Sequence, residues 1–171
     1  MNQKIPLEII EDRKKFSENR VPQIVEEFKL EKIVVEKNTY NYDGVLAIEP
    51  IDFSAKCEHH EVGIHGRAFF AYIPNEFIVG LSQVARIIEY FMNVTTEILQ
   101  EEATIKIVDF FMDILKPKAL WLVIKAKHEC MCARGVRQRN SRTTSSIIRG
   151  GLENDIALRN EIIKLWELKV E

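Results

Sequence analysis

From Val45 onward the chain alternates between two periodicities. Ile51, Phe53, Ala55 and Cys57 are apolar at spacing two, against Asp52, Ser54 and Lys56, which predicts a strand with one buried face. A second strand is expected from Arg67 to Ile73, closed by the turn signal Pro74-Asn75. The spacing then becomes helical: Ser82 stands as an N-cap, followed by Val84, Ile87, Ile88 and Phe91. Thr95 or Thr96 restarts a second helix. Its apolar face reads Ile98, Ile105, Val108, Met112 and Leu115, and Lys116-Pro117 ends it. Leu120 to Lys127 is a strand-type run leading directly into His128, and the β-branched stretch from Thr143 to Ile148 suits a partner strand. Asp155 to Leu168 closes the chain as an amphipathic helix.

Two strands, two helices, two strands and a helix predict an α+β fold. Its antiparallel four-stranded sheet has two helices inserted between the strand pairs. Residues 8 to 35 mix charged and apolar positions, with Pro6 just before them and Pro22 within them, so short helical turns and loops are expected there. The chain thus divides into an N-terminal extension, 1–44, and one main domain, 45–171.

Composition narrows the class. The 171 residues, 46% apolar and 29% charged, suit one globular domain rather than a disordered chain. A net charge of -2 argues against a nucleic-acid binder. No stretch approaches the roughly 20 apolar residues of a membrane helix, and Met1 to Phe16 lacks a signal-peptide core. A cytoplasmic protein is the expectation. Three cysteines, Cys57, Cys130 and Cys132, do not form a disulfide framework, and near histidines they point to metal binding or catalysis.

The strongest local signal is Cys57-Glu58-His59-His60. A cysteine and a histidine three residues apart reach one metal if the chain turns after the strand, and zinc suits mixed thiolate and imidazole ligands. Candidates for a third ligand lie in His128-Glu129-Cys130-Met131-Cys132, where strand spacing would put His128, Cys130 and Cys132 on one face. Two metal sites remain open on spacing alone, besides none at all. One is an open site with three protein ligands and a fourth position for water; the other is a closed structural site of Cys57, His60, Cys130 and Cys132. Around an open site, His59 and His128 would be unliganded histidines suited to proton transfer. From Ala133 to Leu152 there is no acidic residue, while Arg134, Arg137, Arg139, Arg142 and Arg149 are present. Such a run is either a solvated face or a cradle for nucleotide phosphates; no aromatic residue interleaves it, so nucleic-acid stacking is unsupported.

These residues resemble the GTP cyclohydrolase I family. The resemblance rests on CEHH at Cys57 to His60, AYIP at Ala71 to Pro74, GLSxxAR at Gly80 to Arg86, Gln100-Glu101, and HxCxxARGVR from His128 to Arg137. Ser141-x-Thr-Thr and Gly150-Gly151 follow in order. It runs from about Val45 to the C-terminus. The resemblance implies a tunnelling fold, in which sheets of several identical subunits close an oligomeric barrel with active sites between subunits. It implies Zn2+ on Cys57, His60 and Cys130, proton transfer by His59 and His128, and the guanine edge held by Glu101 with Gln100 close by. Ser82, Arg86 and Arg134 would face ribose or triphosphate, and Gln83 stands where the family usually has a lysine. The implied partner is GTP or a related purine nucleotide. Its imidazole ring would be opened, formate released and the product reclosed to 7,8-dihydroneopterin triphosphate. A family relative with another purine substrate, or a silent zinc- and guanine-binding subunit, is the alternative.

Overall fold

The computed structural model describes residue 33 and residues 35–57, 60–93, 99–133 and 136–168. Its elements are β1 (Val35–Lys37), β2 (Leu46–Lys56), β3 (Gly63–Ile73), β4 (Phe77–Val79), α1 (Leu81–Asn93) and α2 (Gln100–Leu115). After these come β5 (Ala119–His128), α3 (Glu129–Ala133), β6 (Thr143–Gly150), a 3-10 turn (Gly151–Glu153) and α4 (Ile156–Glu167). The principal sheet is antiparallel throughout, in the order β2-β3-β5-β6, with α1 and α2 inserted between its two strand pairs. That is the expected α+β topology, an antiparallel four-stranded sheet with two helices between its strand pairs. β1 and β4 form a second, two-stranded sheet that the periodicity does not reveal, because three residues are too few to show alternation.

Alternation decides the faces. Along β2, Ile51, Phe53 and Ala55 are buried while Asp52, Ser54 and Lys56 are exposed. Register slips between Ile48 and Ile51, where Pro50 has no N–H for the ladder. β3 and β5 continue the buried face through Ala68, Phe70, Leu122 and Ile124, all inaccessible to solvent. Onto it pack α1, through Val84, Ile87, Ile88 and Phe91, and α2, through Ala103, Ile107, Val108, Phe111 and Leu115. Phe70 meets Phe111 with ring centroids 4.6 Å apart, tying the central strand to α2.

Two helical expectations need correction. α1 begins at Leu81, so Ser82 lies inside its first turn rather than at its cap. Ile105, expected on the buried face of α2, is 43% exposed, and the true stripe runs Gln100, Ala103, Thr104, Ile107, Val108, Phe111. The expected start at Thr95 or Thr96, and Ile98, lie outside the described residues; α2 is described from Gln100.

α4 crosses to the other face of the sheet. Asp155 caps it by accepting from the Leu158 N–H at 2.9 Å. Ile162 and Trp166 then cover Ala71, Ala119 and Trp121, with Trp166 4.9 Å from Trp121 between ring centroids. The uncovered part of this face is polar, carrying His65, Arg67, Lys125 and Lys127 in cross-strand pairs. Among the described residues no helix is long and apolar enough to cross a membrane.

Candidate metal centre

Three local devices bring the ligands together. β2 ends at Lys56, and Cys57 begins the connection to β3: its N–H donates to the Val62 carbonyl at 2.8 Å, and its own carbonyl accepts from the Glu61 N–H at 2.9 Å. Glu61 takes a left-handed backbone (φ 54°) to close the turn. This curl folds His60 back over Cys57, with Nδ1 3.6 Å from Sγ. The third device is an abrupt change of element on the neighbouring strand. β5 pairs with β3 up to Ile64↔His128, and the chain then turns helical, so the first turn of α3 delivers Cys130 Sγ to 3.9 Å from Cys57 Sγ.

The ligand atoms of Cys57, His60 and Cys130 all lie within 4.8 Å of one another. Zinc–sulfur bonds of about 2.3 Å and zinc–nitrogen bonds of about 2.05 Å at tetrahedral angles require S···S near 3.8 Å and S···N near 3.6 Å. The two edges at Cys57, 3.9 Å to Cys130 Sγ and 3.6 Å to His60 Nδ1, match those lengths. The two sulfurs are too far apart for a disulfide, and all three cysteines are free. Burial, and next the adjacent Cys57 thiol, push the Cys130 thiol above its ordinary range; a cation between the sulfurs would reverse that. The donor set therefore fits zinc with three protein ligands.

Cys132 does not join them. Strand spacing would have aligned it with His128 and Cys130, but residues 129–133 are helical. Its thiol is directed instead at the carbonyls of Gln138 and Arg139, at 3.6 Å and 3.7 Å. The four-ligand closed site is thereby lost.

His128, two residues before Cys130 at the end of β5, is half-buried, with its Nε2 2.9 Å from Gln100 Oε1. Burial lowers its pKa below the ordinary histidine value, partly opposed by the charge of Glu101. Glu101 is exposed in the first turn of α2, next to the buried Gln100, which is only 3% exposed. The Gln100 amide also contacts the Ile124 carbonyl and Ser145 Oγ, and Thr104 Oγ1 joins the same cluster. Thr104 and Ser145 were not singled out by sequence, although the polar pair Gln100 and Thr104, four apart on one helical stripe, is a signal.

On α1, Ser82 and Arg86 are exposed and Gln83 is 7% exposed. His59 and Arg134 lie outside the described residues. The arginine run divides: Arg137 and Arg139 border a groove of about 380 Å³ with Lys127 and Cys132, Arg142 lines a groove of about 650 Å³ on the far face of the sheet, and Arg149 reaches Asp109 at 3.8 Å.

Comparison with known proteins bears on the family of the chain. The family model described as GTP cyclohydrolase I matches residues 13–167. GTP cyclohydrolase 1 of Clostridium kluyveri is 39% identical over 131 residues, covering 77% of this chain and 70% of that protein. The Chlorobium phaeovibrioides enzyme of the same name is 41% identical over 127 residues, covering 74% and 56%. Among solved structures, an archaeosine synthase QueF-Like protein in the apo form is similar with a TM-score of 0.48 and 12% identity, covering 63% of this chain and 94% of that one. On the extent of the family match and the identity to these relatives, the chain belongs to the GTP cyclohydrolase I family.

Proposed function

We propose that the chain is a zinc-dependent GTP cyclohydrolase. It opens the imidazole ring of guanine in GTP by hydrolysis, releases formate and lets the product reclose as 7,8-dihydroneopterin triphosphate. The observation that carries this reading is the Cys57, His60, Cys130 cluster, whose two edges at Cys57 have the lengths of a tetrahedral zinc site and whose three ligands leave one position over. Zinc, when bound there, supplies Lewis-acid activation of water near neutral pH.

The remaining work falls to the chain. His128, held by Gln100 at 2.9 Å, carries a proton to and from the opening ring, and His59 serves as its counterpart. Glu101 holds the guanine edge by accepting from its N–H groups, a pairing of carboxylate with two donors that selects guanine over adenine. Ser82, Gln83, Arg86 and Arg134 serve the ribose and triphosphate. The exposure of Ser82 and Arg86 on α1 supports a site completed by a second copy of the chain, in a homo-oligomer. Three free cysteines are in keeping with a reducing, cytoplasmic location.

The test is incubation of the zinc-loaded protein with GTP, GMP and dGTP, with formate and the oxidised, fluorescent pterin measured on each. Formate and pterin in equal amounts from GTP are the expected result. Release from another nucleotide alone would move the substrate, and no release from a zinc-loaded, GTP-binding protein would overturn the enzymatic reading.

A further inference from the structure

We propose that Gln100 is a positioning residue for His128: it holds Nε2 as the proton-bearing nitrogen of the ring, leaving Nδ1 as the ring's free nitrogen. This rests on the reading of His128 as a proton carrier, and it gives Gln100 a task other than holding the guanine edge.

The direction of every hydrogen bond around Gln100 follows from chemistry alone. Thr104 Oγ1 has one hydrogen, and it goes to the Gln100 backbone carbonyl at 2.7 Å, since a carbonyl only accepts. The 2.7 Å contact between Thr104 Oγ1 and Ser145 Oγ must therefore use the hydrogen of Ser145. With that hydrogen spent, Ser145 Oγ can only accept from Gln100, and it does so from Nε2 at 3.0 Å. The other Nε2 hydrogen goes to the Ile124 carbonyl at 3.1 Å, with the Thr143 carbonyl at 3.4 Å as a weaker, shared acceptor. Both amide hydrogens are thus committed. Flipping the amide would set Oε1 against two carbonyl oxygens and strand three acceptors at a residue that is 3% exposed.

Oε1 consequently faces His128, and an amide oxygen accepts only. The 2.9 Å contact is then a donation from His128 Nε2–H. The frame behind it is rigid: Ile124 and Ser145 are register partners on β5 and β6, and Thr104 sits one turn along α2 from Gln100. Partners that fix the tautomer and orientation of metal-bound histidines contribute about 10–100-fold to affinity or activity, and the same scale is expected for a histidine that carries protons.

Gln100→Met keeps length and apolar bulk but removes the acceptor. The expected result is a fall in kcat for GTP of about 10–100-fold, with KM changed less than about threefold and zinc content intact. Combined with His128→Ala, it should cost nothing further, because Gln100 acts through that ring. A raised KM with unchanged kcat, or losses that multiply in the double variant, would make Gln100 a substrate contact and overturn the proposal. Ser145→Ala loosens the amide without touching His128 and should move kcat the same way to a smaller extent, so the test survives if Gln100→Met folds poorly. Nitrogen-15 spectra of ring-labelled protein, with His128→Ala as the assignment control, read the tautomer without turnover. An Nε2–H pattern for His128 that is lost in Gln100→Met is expected, and an Nδ1–H pattern in the parent protein would overturn the proposal. Should His128→Ala retain full turnover, the proton-carrier reading fails, while the nitrogen spectra still decide the contact.

Discussion

Cys130 and Cys132 are two residues apart, chemically identical, and set to opposite tasks by one change of backbone. Only Cys130 lies within ligand distance of Cys57 and His60, while the Cys132 thiol points at two carbonyls. Cys130→Ser should therefore strip the metal, whereas Cys132→Ser should keep about one zinc per chain, as read by elemental analysis. The opposite pattern would mean that the ligand triangle is wrongly assigned. His128 invites a different test. Its Nε2 is engaged by Gln100 rather than by the cluster, so His128→Ala should retain zinc while losing about 10²–10⁴-fold in formate release. Loss of zinc in that variant would make His128 a ligand. Cys57, His60 and Cys130 could be named from spacing and family pattern because ligand chemistry restricts the residue types. The junction of Gln100 and Thr104 with Ser145 could not, since Ser145 lies 45 and 41 residues from them in sequence and alone reads as one polar position on a half-exposed strand.

At the scale of elements, the regular stretches were legible wherever a burial period ran for several residues. β2, β3, β5, β6 and α4 all form where alternation, β-branched runs or helical spacing put them, although β3 begins at Gly63, four residues before the expected Arg67. Legibility failed where an element was too short to show a period. β1 and β4 have three residues each, and α3 has five, with a helical turn where strand spacing was expected. That last failure matters most, since α3 is what separates Cys130 from Cys132. One glycine also anchors the end of β6. Gly150 has φ +72°, and a Cβ there would come within 2.4 Å of the Lys118 carbonyl, beside the hydrogen bond from Gly151 N–H to that same oxygen. Gly150→Ala should lower the stability of the chain by about 1–3 kcal/mol, measured as a shift of the denaturant midpoint at constant slope. An unchanged midpoint would show that the β5–β6 end relaxes without strain.

For the molecule as a whole, the sheet works as a two-sided plate. One face is sealed by α1 and α2 over a continuous apolar core, and the other is covered at one end by α4. The metal cluster sits at the opposite end, joining the β2–β3 connection to the start of α3 across 73 residues of chain. A metal bound there ties together segments that only the folded state brings near, so it stabilises that state by mass action, about 2.7 kcal/mol at a hundredfold excess over Kd. Removing zinc with a chelator should accordingly lower the thermal midpoint, and adding it back should restore it.

That coupling leads to the measurement bearing most directly on the zinc-dependent ring opening itself. Zinc-stripped protein is titrated with zinc, and metal content, thermal midpoint and formate release from GTP are recorded on the same samples. Formate release rising in proportion to bound zinc and levelling at about one zinc per chain is the expected result. Formate release that persists at full rate in stripped protein, or stays absent in fully loaded protein that binds GTP, would contradict it.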